Sequence, residues 1–156
     1  MRFEELRFVC TEAAKDVVTQ HGDDPIPPTV VLPGAERTRL LTLPGFPEED
    51  RARHEYMVQF AEDEITSNLV PAWGFIAAAE DAEGNDVVVA VYGARRHQPE
   101  LTAARLDEDG TLGEFVTPEE LDPTAMPFLH PLQHAVDAIP PLDDPSEAEG
   151  LPLFGE

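Results

Sequence analysis

Apolar residues recur along the chain in two rhythms. Residues 3–20, FEELRFVCTEAAKDVVTQ, put Phe3, Leu6, Cys10, Ala13 and Val17 at three- and four-residue steps, one face of a helix. Glu4, Glu5, Glu12 and Asp16 fall elsewhere, and His21-Gly22 ends the pattern with glycine in the C′ role. Residues 47–69 predict a second helix. Pro47 and the Glu48-Glu49-Asp50 run suit a helix start, Met57, Phe60, Ala61 and Ile65 form the apolar face, and Asn68 and Pro71 stop it. A third, short helix is predicted over 128–139, FLHPLQHAVDAI, with Pro131 tolerable only in its first turn.

The other rhythm is extended. Thr29–Leu32 and Leu40–Leu43 flank PGAERT and predict a hairpin, and AWGFIAAAE (72–80) and DVVVAVYGA (86–94) flank the turn DAEGN. LTAARL and TLGEFV flank DEDG, with TLGEFV expected at an edge and TPEELDP as a loop or single turn. Strands 72–80 and 86–94 are apolar on both faces, whereas an antiparallel strand with one wet face alternates apolar and polar. Their second face therefore needs cover from a helix, the C-terminal segment or another copy of the chain, and the face away from the first two helices suggests either a homodimer or cover by the C-terminal segment. The order α-β-β-α-β-β-β-β-α predicts an α+β, two-layer domain over residues 1–139. Its antiparallel sheet has five to six strands, with the first two helices packed on one face and a short C-terminal helix. Residues 140–156 lose both rhythms. They are acidic and proline-rich, without a β-branched residue, and read as a tail that is flexible or docked.

Charge narrows the classes of function. The 156 residues carry 32 Asp and Glu against 10 Lys and Arg, a formal charge of −22, and Lys15 is the sole lysine. Such a field repels nucleic-acid phosphates and anionic membranes and favours a basic protein partner. The same bias is also a habit of prokaryotic proteins from salty or GC-rich settings. Cys10 stands alone, which excludes an intrachain disulfide, and its place on the helical stripe reads as a buried structural thiol. Neither a basic-then-apolar leader nor a run of ~18 apolar residues is visible, so a cytoplasmic location is expected.

Three clusters could carry chemistry. His130 and His134 are four apart on one helical face with Asp137 a turn beyond, a spacing zinc accepts if His97 or His54 supplies a further ligand. The metalloprotease order fails, because Pro131 occupies the place of its glutamate. Zinc is thus the alternative to a chain with no cofactor. Glu55, Asp63 and Glu64, with His54, could serve acid–base chemistry but read better as a solvated helix face. Arg95 and Arg96, with His97, form the densest basic cluster and could bind an anion together with Arg37 and Arg39. No nucleophile elbow, phosphate loop or CxxC is present, so the balance leans away from an enzyme.

The tail ends in GLPLF, residues 150–154. This peptide resembles the bacterial sliding-clamp-binding motif, Gln-Leu-x-Leu-Phe, through Leu151, Leu153 and Phe154, with Gly150 in place of the glutamine. The resemblance implies a replication or repair accessory docked on a clamp. The leading expectation is a small, acidic, non-catalytic protein-interaction module, possible in inhibitor or immunity form against a basic toxin. The alternatives are a metal-binding protein or enzyme using HPLQH, and the clamp-docked accessory.

Overall fold

A computed structural model describes residues 2–21, 25–34, 37–122 and 124–140. Its elements are α1 (Phe3–His21), β1 (Thr29–Pro33), β2 (Thr38–Thr42), α2 (Asp50–Phe60), a π-helical segment (Ala61–Thr66), β3 (Ala72–Glu80), β4 (Asp86–Ala94), β5 (His97–Arg105), β6 (Glu119–Glu120), a 3-10 turn (Pro127–Leu129) and α3 (His130–Ala138). The α+β class and the six-stranded antiparallel sheet match expectation. The strand order is β2-β1-β3-β4-β5-β6. The hairpin β1–β2 therefore joins the meander through β1, which pairs with β3 as Val30↔Phe75 and Val31↔Gly74.

Side-chain alternation along β3 assigns the two faces. Trp73 and Phe75 point one way, into a core with Val30, Leu32 and Val91 from the sheet and Met57, Ile65, Leu132 and Val136 from the helices. Ile76 points the other way, into a core with Val31, Val88 and Tyr92, where α1 supplies Leu6, Cys10 and Ala14. Two helices do share a face, but they are α2 and α3. α1, expected beside α2, covers the opposite face. The reason is the double-sided grease of β3 and β4. Ile76, Val88 and Tyr92 are fully buried, and leaving such side chains wet costs about 1.5–3 kcal/mol each. Among the described residues, α1 is the cover that a second copy or the tail was expected to provide, so the sheet supplies no argument for a homodimer.

Close approach of α1 depends on one glycine. A Cβ at Gly74 would collide with Cys10 Sγ and press on Val31 Cβ at 3.1 Å. Gly93 does the same service on the other face, where a Cβ would displace Gln133 Oε1 and the indole of Trp73.

The edge differs from expectation. TLGEFV is not a regular strand. Leu112 makes a single bridge to Leu106. Gly113 N–H then donates to Arg105 O (2.8 Å) and Val116 N–H to Ala103 O (2.9 Å). Three residues on one side thus span two on the other, and that mismatch breaks the ladder. Pairing resumes at β6, within the stretch expected to be a loop, as Glu100↔Glu120 and Leu101↔Glu119. Among the described residues no helix is long and apolar enough to cross a membrane.

Candidate functional site

The two sides of the sheet each carry a groove. On the α2–α3 side, a groove of about 490 Å³ runs between α2 with its π-helical continuation and α3. Its floor is small and apolar: Ala61, Pro131 and Ala135 are buried. Val58 stands in its wall with 45% of its surface exposed. His54, His130 and His134 rim it, with Glu62 and Thr66. The π-helical segment contributes Ala61, Glu62 and Thr66, so a locally widened helix shapes one wall.

This groove brings together three histidines named from sequence, but not the whole expected ligand set. Asp137 faces another way. Its Oδ1 accepts from Arg96 N–H (2.7 Å) and from Gln133 Nε2 (2.9 Å). Gln133 Nε2 also donates to Ala94 O, and Gln133 Oε1 accepts from the buried Trp73 Nε1 (2.9 Å each). This chain of hydrogen bonds pins α3 to the β4–β5 turn. His97 lies against α1, stacked on Phe3 with ring centroids 3.5 Å apart. Among the described residues no group of three or more His, Cys, Asp or Glu side chains is arranged to hold a metal ion.

The basic cluster is likewise engaged in structure. Arg95 Nε donates to Ile139 O (2.6 Å), closing the C-terminal end of α3. Arg96 occupies the left-handed region at φ 60°, as the tight β4–β5 turn requires. Arg39 pairs with Glu64 at 2.9 Å and joins β2 to the π-helical segment. It lies three strands from β4, ~14 Å by ordinary strand spacing, so the structure does not gather these arginines into one anion site. Of the remaining carboxylates, Glu55 meets Arg51 at the surface and Asp63 accepts from Gln59 Nε2.

On the α1 side a groove of about 570 Å³ lies between the first half of α1 and residues 115–118. Phe8 and Val116 line it, exposed at 64% and 61%. Phe115 and Pro118 extend the apolar lining, and Glu4 and Arg7 border it. Thr102, buried at its base, donates through Oγ1 to Val116 O and so holds the rim in place. Sequence reasoning passed over this groove. Its signal was Phe8, a large aromatic standing off the stripe of Leu6, Cys10 and Ala13.

Burial pushes the Cys10 thiol far above its ordinary range, which makes it a packing residue and not a nucleophile. Burial, and then the nearby Glu100 carboxylate, likewise hold the Tyr92 phenol protonated. Its hydroxyl donates to Glu100 Oε1 at 3.4 Å. No family model, no curated protein and no solved structure matches the chain.

Proposed function

We propose that the chain is a non-catalytic interaction module that binds a basic protein through the α1 groove. Carrying this reading is the placement of Phe8 and Val116. Five large apolar side chains among the described residues are exposed, and the two most exposed of them, Phe8 and Val116, share one groove with Phe115. Aromatic anchors at the centre of a polar surround are what a protein interface is built from. Of the charged residues at the groove, Glu4 is acidic and Arg7 basic, while Glu5, Glu114, Glu119 and Glu120 lie close to its lining residues in sequence, in a chain of net charge −22. A basic partner would be steered to such a field and held by the apolar centre. An inhibitor or immunity-type protein acting in the cytoplasm on a basic toxin is one instance of that chemistry.

The test is co-purification of partners on the wild-type chain and on Phe8→Ser/Val116→Ser, repeated at raised salt. Both residues are exposed, so the double variant keeps its thermal stability within ~0.5 kcal/mol. The reading expects a basic protein on the wild type, its loss from the double variant, and slower association as salt rises from about 0.15 to 1 M and the Debye length shrinks from ~8 to ~3 Å. A partner that is not basic, or one indifferent to both salt and the double substitution, would sink it.

A further inference from the structure

The groove between α2 and α3 begins where the described chain leaves it. Ala138 is the last residue of α3 and also lines the groove, and Pro140 is the last described residue. Residues 141–156 follow, and Leu151, Leu153 and Phe154, expected from sequence to bind a partner, lie outside the described residues. We propose that this groove is the seat of the chain's own C-terminal peptide, with Leu151, Leu153 and Phe154 returning in cis to cover Val58, Ala61 and Ala135.

Reach permits this. The ten linking residues 141–150 span up to ~33–36 Å when extended. α3, with nine residues, is ~14 Å long. The linker can therefore pass the full length of the helix and turn back. Direction favours this groove over the one on α1. The exit at Ile139 is held on the α2–α3 side by Arg95, and the α1 groove lies behind the sheet. The connecting residues include Asp143, Asp144, Glu147 and Glu149, and the rim they would cross holds a single carboxylate, Glu62, beside three histidines, so little fixed negative charge opposes their passage. Tethering within one chain supplies an effective concentration of order mM. The inference is independent of the partner reading, because it occupies the other groove.

The test uses the full chain with Gly155→Cys carrying a nitroxide. Cys10 is fully buried, so the reagent meets one accessible thiol. Expected is loss of most NMR signal intensity at Val58, Ala135 and Ala138, restored on reducing the nitroxide, with Phe8 and Val116 spared. Leu151→Ala/Leu153→Ala/Phe154→Ala in the labelled chain, and separately Val58→Asp, should each return the groove signals to full intensity. Undiminished groove signals would overturn the proposal, as would broadening at Phe8 and Val116. Mixing labelled chain with isotope-enriched unlabelled chain decides the remaining case: broadening in the unlabelled copy means exchange between molecules and also overturns docking in cis.

Discussion

The two faces of the sheet are covered by different means. On one, a single helix lies close against the strands because Gly74 has no side chain where Cys10 must fit. On the other, two helices stand over a thicker layer of aromatic rings. Phe46, Phe75 and Phe128 meet at 5.4–6.4 Å between centroids, and the Arg53 guanidinium lies 5.4 Å from the rings of Phe46 and Phe128. A polar bridge through Gln133 then fixes α3 in register. The first face is held by steric fit, with little room to adjust. The second is held by bulk and by hydrogen bonds whose partners can partly turn to water. The same kind of sheet surface is thus sealed by tightness in one place and by filling and pinning in the other.

The sharpest way to break this comparison is Gly74→Val. Forcing a side chain into the contact should cost about 3 kcal/mol, at the upper end for overpacking, because Cys10 Sγ can turn only within a packed core and the next neighbour, Val31 Cβ, is fixed to the backbone. That corresponds to a fall of roughly 6–12 °C in thermal midpoint for a chain of this size. Cys10→Ala in the same chain should recover a measurable part, giving a coupling of ~1 kcal/mol in a double-mutant cycle. If the two changes simply add, α1 is not held by that contact.

Gln133→Leu tests the other face and should do less. It strands the indole N–H of the fully buried Trp73, a loss that mutational data put at ~1–3 kcal/mol. Gln133 is only half-buried, so water can reach part of the vacated site, and about 1–2 kcal/mol is expected. Trp73→Phe removes the stranded donor, and the pair should cost less than the sum of its members in chemical denaturation. A cost above that of Gly74→Val would invert the ranking of the two faces.

The sequence made some of this plain and hid the rest for physical reasons. The continuous apolar runs of β3 and β4 announce strands buried on both sides, and α1 follows its three-four spacing from Phe3 to His21. What periodicity reports is that a face is buried, not what buries it, so the separation of α1 from α2 was not legible. The π-helical segment was hidden for a related reason. Met57, Ala61 and Ile65 are all buried at steps of four. An α-helix of 3.6 residues per turn drifts at such steps, and a wider turn takes the drift back. The edge failed because TLGEFV has good strand composition, yet its pairing with β5 goes out of step at Gly113 and Val116. At the sites, the pairing of His130 with His134 was visible locally. The removal of Asp137 by Arg96, and the arrival of His54 opposite them, depend on contacts far apart in the chain.

The smallest expected effect belongs to neither face and serves as a control on both. Asp81, Asp109 and Asp122 lie in exposed turns, and each carboxyl is held below its ordinary value of 3.8. The leading causes are the Asn85 N–H for Asp81, hydrogen bonding from the Thr111 side chain for Asp109, and the Thr124 N–H for Asp122. A carboxylate depressed in the folded state stabilises it above the unfolded value, and that stabilisation is lost as pH falls through the folded value. Protonating the rest of the surface acts oppositely, by relieving the repulsion of a net −22 chain. Only a difference between variants isolates the turns. Asp81→Asn/Asp109→Asn/Asp122→Asn keeps an acceptor oxygen in each turn and removes the titration. The wild type should be the more stable of the two at neutral pH, and the gap should close as pH drops below 3.8. Gly74→Val and Gln133→Leu should leave the shape of that pH dependence alone while lowering stability throughout. A gap that stays constant into acid would show that the aspartates hold their turns by geometry alone, and a face variant that bends the curve would show that the faces and the turns do not fail independently.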